Sequence, residues 1–323
     1  MKNSGNKFLL SIVIVISWAV FSVAQAYNSK VILSGCGSEN FRETLGNKLT
    51  AVVSSLDGEK WADVQNCFTA GGFDSFKELA ENTHCLNVNP VYELKLLKLA
   101  DESYEVRDVK VLIEMGTTPG NPYQNMVFSI DTSGDITDVR FALEQHQYQE
   151  IVKQGEILKD FACRQKVTQF LEIFRTAYNR KDSVYLEKVF SNDALIIVGR
   201  MLKEKPDCPD LLDNSTLTKK QIQFVKLSKR EYLDRLDIVF HNNEVIKVNF
   251  DEIKLINHPS KEKIYGVTLK QNWHTSNYSD EGYLFLMIDY RDENNPLIHV
   301  RAWQPEKFPD GSVISLGNFE LIE

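Results

Sequence analysis

The order in which helical and strand patterns follow one another limits the fold more than any other feature of this sequence. After residue 38, apolar residues first recur at the spacing of helices and only later alternate as they do in strands. The predicted helices lie at 39–57, 61–69 and 74–81, the last with Asp74 as its N-cap. The predicted strands lie at 92–96, 105–115, 126–131 and 136–143, with a hairpin turn at 131–135.

The second half of the chain repeats this order. A helical pattern over 144–182 is interrupted by Gly155 and leads to a short helix at 185–191 and a strand at 194–198. Residues 201–220 are polar and predicted to form a loop. A helix at 228–242 then precedes strands at 245–256, 263–274, 281–291 and 296–304. Because helices and strands do not alternate one by one, we expect an α+β fold with a curved antiparallel sheet wrapped on helices in each half.

The strand predicted at 281–291 is apolar on both faces. Period two sends Tyr283 and Phe285 to one face and Leu284 and Leu286 to the other. We therefore expect this strand to be buried on both sides. The tail after residue 305 is predicted to be a surface strand or coil.

The N-terminus has the three parts of a secretory signal. Lys2 and Lys7 precede an apolar run from Phe8 to Val23, and Ala24-Gln25-Ala26 supplies small residues for a signal peptidase. The run is short for a membrane span, although a retained anchor is the alternative. Residues 1–26 are predicted to be a cleavable signal peptide, and the mature chain to be periplasmic or secreted.

A second processing signal competes with the first. Leu33-Ser34-Gly35-Cys36 resembles the lipobox of bacterial lipoproteins, which would make Cys36 a lipid-modified residue at a membrane. In that class the motif follows the apolar run directly, whereas here Lys30 intervenes. Cleavage after Ala26 is therefore preferred, and membrane attachment is expected only if Cys36 is lipidated.

Charge and cysteine spacing exclude several classes of function. The formal net charge is −8, and loss of residues 1–26 removes two lysines, which argues against nucleic acid as a partner. The five cysteines contain no CxxC pair, and no metal or cofactor is predicted. Cys67 and Cys85 are the pair that we expect to form a disulfide, if any does.

Residues 164–304 resemble the NTF2-like (SnoaL-like) family. The helix of 170–182 ends in an Asn-x-x-Asp turn at Asn179 and Asp182, and Phe190-Ser191-Asn192-Asp193-Ala194 matches the family's bridge into its first strand. Residues 265–273, 282–286 and 300–305 look like an exported bacterial subgroup. The resemblance implies two tandem cones of helices in a curved sheet. The predicted domains are a diverged copy at 38–145, a second copy at 146–305 and a tail at 306–323.

The same resemblance weakens an isomerase function. Ketosteroid-isomerase-like members of the family need a carboxylate base and a tyrosine, and the matching positions here hold Val198 and Phe174. We therefore expect a non-catalytic protein that binds a small ligand or an envelope protein. The first alternative is an NTF2-like isomerase, dehydratase or hydrolase that uses His274, His299 or Asp193. The second alternative is a structural accessory of an envelope complex.

The candidate ligand-binding residues lie in the second predicted cone. His299, Arg301 and Trp303 alternate on one face of the last strand, where a guanidinium can pair with a carboxylate and an indole can stack on an apolar body. If that face is convex, the three residues are surface or interface residues instead. The other candidates for ligand binding are Phe174, Tyr178, Val198 and Trp273.

Overall fold

The computed structural model describes residues 28–58, 60–99, 101–113, 121–144, 161–202, 221–275 and 278–319. The predicted signal peptide of 1–26, Gly155, the predicted domain boundary at 145–146 and nearly all of the loop at 201–220 lie outside these residues.

The first unit is a mixed sheet with helices packed on it. Its strands are β1 (Lys30–Gly35), β2 (Cys85–Asn87), β3 (Val91–Lys98), β4 (Tyr104–Ile113), β5 (Tyr123–Ile130) and β6 (Ile136–Phe141). Its helices are α1 (Glu39–Ser54), α2 (Trp61–Val64) with a 3-10 turn (Gln65–Cys67), and α3 (Ala70–Thr83). The strand order is β1-β3-β4-β5-β6, and β2 pairs with β4 at the side. The predicted hairpin turn is confirmed, because the Asp131 amide donates to the Asp135 carbonyl at 3.0 Å.

The second unit is built around a second mixed sheet. Its helices are α4 (Phe161–Asn179), α5 (Ser183–Val189) and α6 (Lys229–Asn242). Its strands are β7 (Phe190–Leu202), β8 (Gln221–Leu227), β9 (Ile246–Asn257), β10 (Ile264–Thr275), β11 (Ser279–Asp289) and β12 (Leu297–Gln304). The strand order is β8-β7-β12-β11-β10-β9. The chain is thus α+β as predicted.

The prediction of purely antiparallel sheets is wrong in both units. β1 runs parallel to β3, and β12 runs parallel to β7. Both parallel pairs join strands that are far apart in the chain. Helices lie between β1 and β3, whereas β8, α6 and the meander of β9 to β11 lie between β7 and β12. β1 also precedes α1, so the prediction that helices come first is wrong for the first unit.

The start of α3 differs from the prediction because of a tertiary contact. Thr69, and not Asp74, is the N-cap, and its side chain accepts from the Gly72 amide at 3.2 Å. Gly71 and Gly72 lie between the helices predicted at 61–69 and 74–81, yet both are inside the observed helix. A Cβ atom at position 72 would lie 2.1 Å from the Ile136 carbonyl oxygen, so glycine lets α3 approach β6 closely.

The second sheet is covered on both faces. α4 and α6 lie on its concave face, where Leu284 and Leu286 of β11 are buried. On the convex face, Phe285 stacks on Phe319 of the C-terminal segment with ring centroids 5.3 Å apart. The prediction that β11 is buried on both sides is confirmed. The tail is coil as predicted, with a 3-10 turn (Leu316–Asn318), but it buries Leu316 instead of lying free on the surface.

A buried ionic cluster joins the two units. Glu172 of α4 is fully buried and accepts hydrogen bonds from Arg140 Nε at 3.1 Å and from the Leu143 amide at 2.9 Å. It also forms an ion pair with Arg107, while Arg140 pairs in addition with Glu105. Burial acts to raise the pKa of Glu172, but the two arginines outweigh it and lower the pKa below its usual value. The carboxylate is therefore charged when the protein is folded.

The expected disulfide between Cys67 and Cys85 is wrong. Both residues are free thiols in the buried part of the first unit, and burial raises the pKa of Cys85 to about 11. Cys36 is a free, exposed thiol directly after β1.

Among the described helices, none has both the length and the apolar character to cross a membrane.

Candidate ligand-binding site

A cavity of about 560 Å³ lies between α6 and the concave face of the second sheet. Its volume falls within the range of small-molecule sites, roughly 300–1,000 Å³. One wall is formed by α6, which begins with a capping box between Ser228 and Glu231. Helical spacing turns one face of α6 towards the cavity. That face carries Tyr232, Arg235, Leu236, Val239, Asn242 and, just beyond the helix end, Asn243.

The opposite wall is formed by alternate residues of two strands. Gln271, Trp273 and Thr275 of β10 share one face because strand side chains have a period of two. Arg301 and Trp303 of β12 face the same cavity. The remaining wall residues are Val198 and Leu227, and Tyr278 and Asp280 follow at the end of β10 and the start of β11.

Glycine at position 282 makes room for one of the two indoles. Gly282 lies on β11, between the strands that carry Trp273 and Trp303. A Cβ atom there would lie 2.6 Å from the Trp303 ring and 2.5 Å from the Gln304 carbonyl oxygen. The missing side chain therefore lets the Trp303 indole lie directly against β11.

Buried polar groups converge at the inner end of the cavity. The hydroxyls of Tyr178 and Tyr232 are 2.8 Å apart. The Arg301 guanidinium lies 4.8 Å from the centre of the Tyr232 ring and hydrogen-bonds the Tyr178 hydroxyl. Burial raises the pKa of Tyr178 well above its usual value, so its phenol is neutral next to a charged guanidinium.

Two buried polar atoms of lining residues lack a hydrogen-bond partner among the described residues. Arg301 and Gln271 are only 6% and 3% exposed, yet Arg301 Nε and Gln271 Oε1 form no hydrogen bond with any residue that the structure describes. Among the described residues, no carboxylate forms an ion pair with Arg301. A buried donor on a cation and a buried acceptor thus lie in the wall of the cavity without hydrogen-bond partners among the described residues, which is costly.

The structure brings together four of the seven candidate ligand-binding residues. Val198, Trp273, Arg301 and Trp303 line the cavity. Tyr178 is not on the lining but contacts three residues that are: its hydroxyl hydrogen-bonds the Tyr232 hydroxyl and the Arg301 guanidinium, and its ring lies 5.6 Å from that of Trp273. That any of these residues binds a ligand stays a prediction.

Phe174 and His299 do not line the cavity. Phe174 is fully buried in an aromatic core, with its ring 5.1 Å from that of Tyr178 and 6.1 Å from that of Phe170. The prediction that His299 shares a face with Arg301 is wrong. A register shift between Ile298 and Val300 breaks the alternation of β12, and the His299 side chain instead lies 3.3 Å from Asp289.

The predicted acid–base candidates also lie outside the cavity. His274 alternates with Trp273 and therefore faces away from it, with Nδ1 3.0 Å from the Ser279 hydroxyl. Burial lowers the pKa of His274. Asp193 is exposed at the start of β7 and is not part of the lining.

Several lining residues were missed in the sequence, although some had a signal there. Gln271 and Thr275 follow from period two once Trp273 is placed, and Tyr232 lies one helical turn before Leu236 on the apolar face of α6. Asp280 and Tyr278 gave no such signal because their position depends on the turn after β10. The Tyr278 hydroxyl donates to Asp280 at 2.7 Å, and Tyr278 is 57% exposed at the mouth.

Comparison with known proteins identifies fold neighbours at low similarity. No protein-family profile matches the chain, and no curated protein matches it. The Bdellovibrio bacteriovorus protein Bd1075 is 14% identical with a TM-score of 0.32, and the match spans 44% of this chain and 40% of that one. A Streptomyces avermitilis protein of the NTF2-like family, assigned as a dehydratase, is 12% identical with a TM-score of 0.28, over 41% of this chain and 87% of its own.

A third neighbour is the β subunit of a protein from Novosphingobium aromaticivorans, assigned as an aromatic-ring-hydroxylating dioxygenase. It is 10% identical with a TM-score of 0.31, over 43% of this chain and 88% of its own. Each of these matches covers less than half of the chain. At these values they assign no family, and the cavity is interpreted from its own residues.

Proposed function

We propose that this chain is an exported protein that binds a small organic ligand in the cavity between α6 and the second sheet, without catalysing a reaction. The observation that carries the proposal is the pair of unpartnered polar atoms, Arg301 Nε and Gln271 Oε1, in a cavity whose remaining wall is largely apolar. Apolar walls with a few convergent polar groups are typical of small-molecule sites.

The order of elements supports an NTF2-like cone for residues 161–304. Two helices, the paired strands β7 and β8, a third helix and the meander of β9 to β12 follow one another. This order matches the predicted one except for β8, which was not predicted. The first unit begins with a strand and has no hairpin between its helices. The NTF2-like proposal therefore covers the second unit, and a tandem copy is not part of it.

Export with cleavage after Ala26 is part of the proposal. The pattern of residues 1–26 supports it. Integration of β1 into the first sheet supports cleavage there over processing at Cys36, because a chain that begins at Cys36 would lack the whole of this strand.

An enzyme is the second candidate function, favoured by one observation. Tyr178, Tyr232 and Arg301 converge as hydrogen-bond donors that could stabilise a developing negative charge. Such an enzyme also needs a proton acceptor that faces the cavity, and the carboxylate on the lining is Asp280 at the mouth. His274, His299 and Asp193 do not meet this requirement, so binding without chemistry is the better-supported function.

Filling the cavity is expected to abolish ligand binding. The change is Val198→Trp, which places an indole where Val198 now lines the wall. A fragment library of organic acids, amines and neutral rings, screened by saturation-transfer NMR, should give binders to the unaltered chain that lose at least tenfold in affinity for this variant. Each probe should be recovered unchanged by mass spectrometry, whereas its conversion would favour the enzyme.

The control adds the same indole to the solvent face of α6, which forms another wall of the cavity. Ile238 of α6 is 62% exposed, and the Ile238→Trp variant should bind the fragments as the unaltered chain does. Equal binding to the Val198→Trp variant would contradict a site in this cavity. If no fragment binds any form of the chain, a protein partner becomes the better hypothesis.

A further inference from the structure

We infer that the ligand is a planar aromatic carboxylate that also carries a hydrogen-bond donor on its ring system. This inference rests on the proposed binding function and names the class of ligand. Three features of the cavity specify the three parts of such a molecule: a buried guanidinium, two indoles and an amide oxygen without a partner.

The acidic group follows from the charge of Arg301. This guanidinium is buried, it forms no ion pair with a described carboxylate, and its Nε is unpartnered. A buried charge without a counter-charge is strongly disfavoured. A carboxylate can accept two parallel hydrogen bonds from a guanidinium, so it satisfies both the charge and the free donor.

Arg235 is the other arginine on the lining, but its environment differs. Arg235 projects from α6 and is exposed, so water already solvates its charge. The two arginines therefore form a matched pair. One is a buried cation whose charge needs compensation, and the other is a solvated cation at the rim of the same cavity.

The planar body follows from the positions of the indoles. Trp303 lies opposite Leu284 of β11, and Trp273 lies opposite Asp280 of the same strand. The Trp303 ring lies over Gly282, so it is nearer to the level of Trp273 than the backbone pairing of the two tryptophans indicates. A flat ring system is favoured against an indole, because an aromatic pair contributes more binding free energy than the burial of its apolar area alone.

The hydrogen-bond donor on the ligand is inferred from the side chain of Gln271. Gln271 lies opposite Gly282 on β11, the residue that the Trp303 ring covers. Its unpartnered Oε1 can only accept a hydrogen bond, so a hydroxyl or amino group on the ring system is its complement. Arg301 lies opposite Leu286, two residues beyond the level of Trp303. The carboxylate and the donor group should accordingly lie at opposite ends of the ring system.

Four probes separate these requirements in isothermal titration calorimetry. The probe 6-hydroxy-2-naphthoate has all three parts. Its primary amide lacks the charge, 2-naphthoate lacks the hydroxyl donor, and decanoate lacks the ring system. The amide should bind roughly 10- to 100-fold more weakly, as expected for loss of a hydrogen bond to a charged group. 2-Naphthoate should bind about 2- to 10-fold more weakly, as expected for loss of a neutral hydrogen bond. Decanoate should bind more weakly than 2-naphthoate.

The variants assign the charge recognition to one residue. Arg301→Gln should lower the affinity for 6-hydroxy-2-naphthoate by roughly 10- to 100-fold and leave that for its amide within threefold. Arg235→Gln should lower the affinity for 6-hydroxy-2-naphthoate less than Arg301→Gln does, because water already solvates its charge. Arg230 of α6 lies outside the lining with its side chain 91% exposed, and Arg230→Gln should change neither affinity more than threefold. Arg301→Lys keeps the positive charge but loses the two parallel donors of the guanidinium. Its affinity for 6-hydroxy-2-naphthoate should lie between those of the unaltered chain and the Arg301→Gln variant. Circular dichroism and thermal melting show which variants are folded.

Several results would overturn the inference. Equal binding of the acid and the amide to the unaltered chain would exclude charge recognition, even if Arg301→Gln failed to fold. A larger effect of Arg235→Gln than of Arg301→Gln would move the recognition to the rim. Binding of decanoate at least as tightly as 2-naphthoate would exclude a planar body. If other fragments bind in the cavity but none of the four probes does, the proposed function stands and this ligand class is wrong.

Discussion

The Glu172→Ala variant is expected to lose about 3–5 kcal/mol of unfolding free energy, because it leaves buried arginines without their shared carboxylate. Glu172 is fully buried, and it pairs with Arg107 and Arg140 of the first unit. It also accepts from the Leu143 amide at 2.9 Å, and the change would leave this buried donor without its acceptor. Urea unfolding followed by circular dichroism measures the loss.

Two further variants control this experiment. Glu172→Gln keeps an acceptor for the Leu143 amide but loses the charge, so its destabilisation should be smaller than that of Glu172→Ala. Glu293 is also paired, with Lys166 and Lys263, but all three are exposed. Glu293→Ala should leave the unfolding curve unchanged within error. Equal stabilities of the Glu172→Ala and Glu293→Ala variants would contradict a role for burial.

The same cluster predicts a pH dependence with a definite sign. The pKa of Glu172 in the folded protein is lowered, because Arg107 and Arg140 outweigh the effect of burial. The pKa of a glutamate in an unfolded chain is about 4.3, so the charged Glu172 carboxylate makes its full contribution to the free energy of unfolding above that pH. Its contribution is lost as the pH falls through the folded pKa. The difference in stability between the unaltered chain and Glu172→Gln should therefore be constant above about pH 5 and shrink below about pH 4.3.

A chain that begins at Cys36 is expected to lose the fold of its first unit. It would lack β1, which pairs with β3 from Lys30↔Val91 to Gly35↔Leu96 and buries Val31. Burial of Val31 contributes roughly 2 kcal/mol, and each backbone hydrogen bond adds about 1 kcal/mol net. Their sum is comparable to the whole stability of a small domain, about 5–15 kcal/mol. Thermal melting and protease resistance of the purified chain measure the effect.

The control is a chain that begins at Tyr27, the first residue after the predicted signal peptide. It keeps β1 and also the buried Ser29, whose hydroxyl donates to the Asn89 carbonyl at 2.7 Å. This chain should melt cooperatively. If the chain that begins at Cys36 melts at the same temperature, β1 is dispensable and processing at Cys36 becomes compatible with a folded first unit.

Much of the secondary structure could be predicted because its signals are local. The helix predicted at 228–242 is observed as Lys229–Asn242, and the strand predicted at 263–274 as Ile264–Thr275. Amphipathic spacing and caps act within a few residues, so the sequence alone contains them. β8 was missed although Ile222 and Phe224 alternate with glutamines, because residues 221–227 lie between the predicted loop at 201–220 and the predicted helix at 228–242 and were assigned to neither.

The candidate site could be predicted only in part. Arg301 and Trp303 share a strand face, and period two placed both together. His299 was placed with them, but the register shift between Ile298 and Val300 turns it away. A bulge of this kind depends on the partner strands, so the spacing within one strand does not contain it.

Local periodicity thus established the element types, the α+β class and the two-sided burial of β11, because each depends on neighbours in the chain. Long-range contacts decided the parallel pairings of β1 and β12, the burial of Glu172 between the units and the convergence of Arg301, Gln271 and Tyr232. These features join residues far apart in sequence, and no local pattern specifies which of them meet. The cavity, with Arg301 and its unpartnered Nε in the wall, exists only once α6 packs across the second sheet.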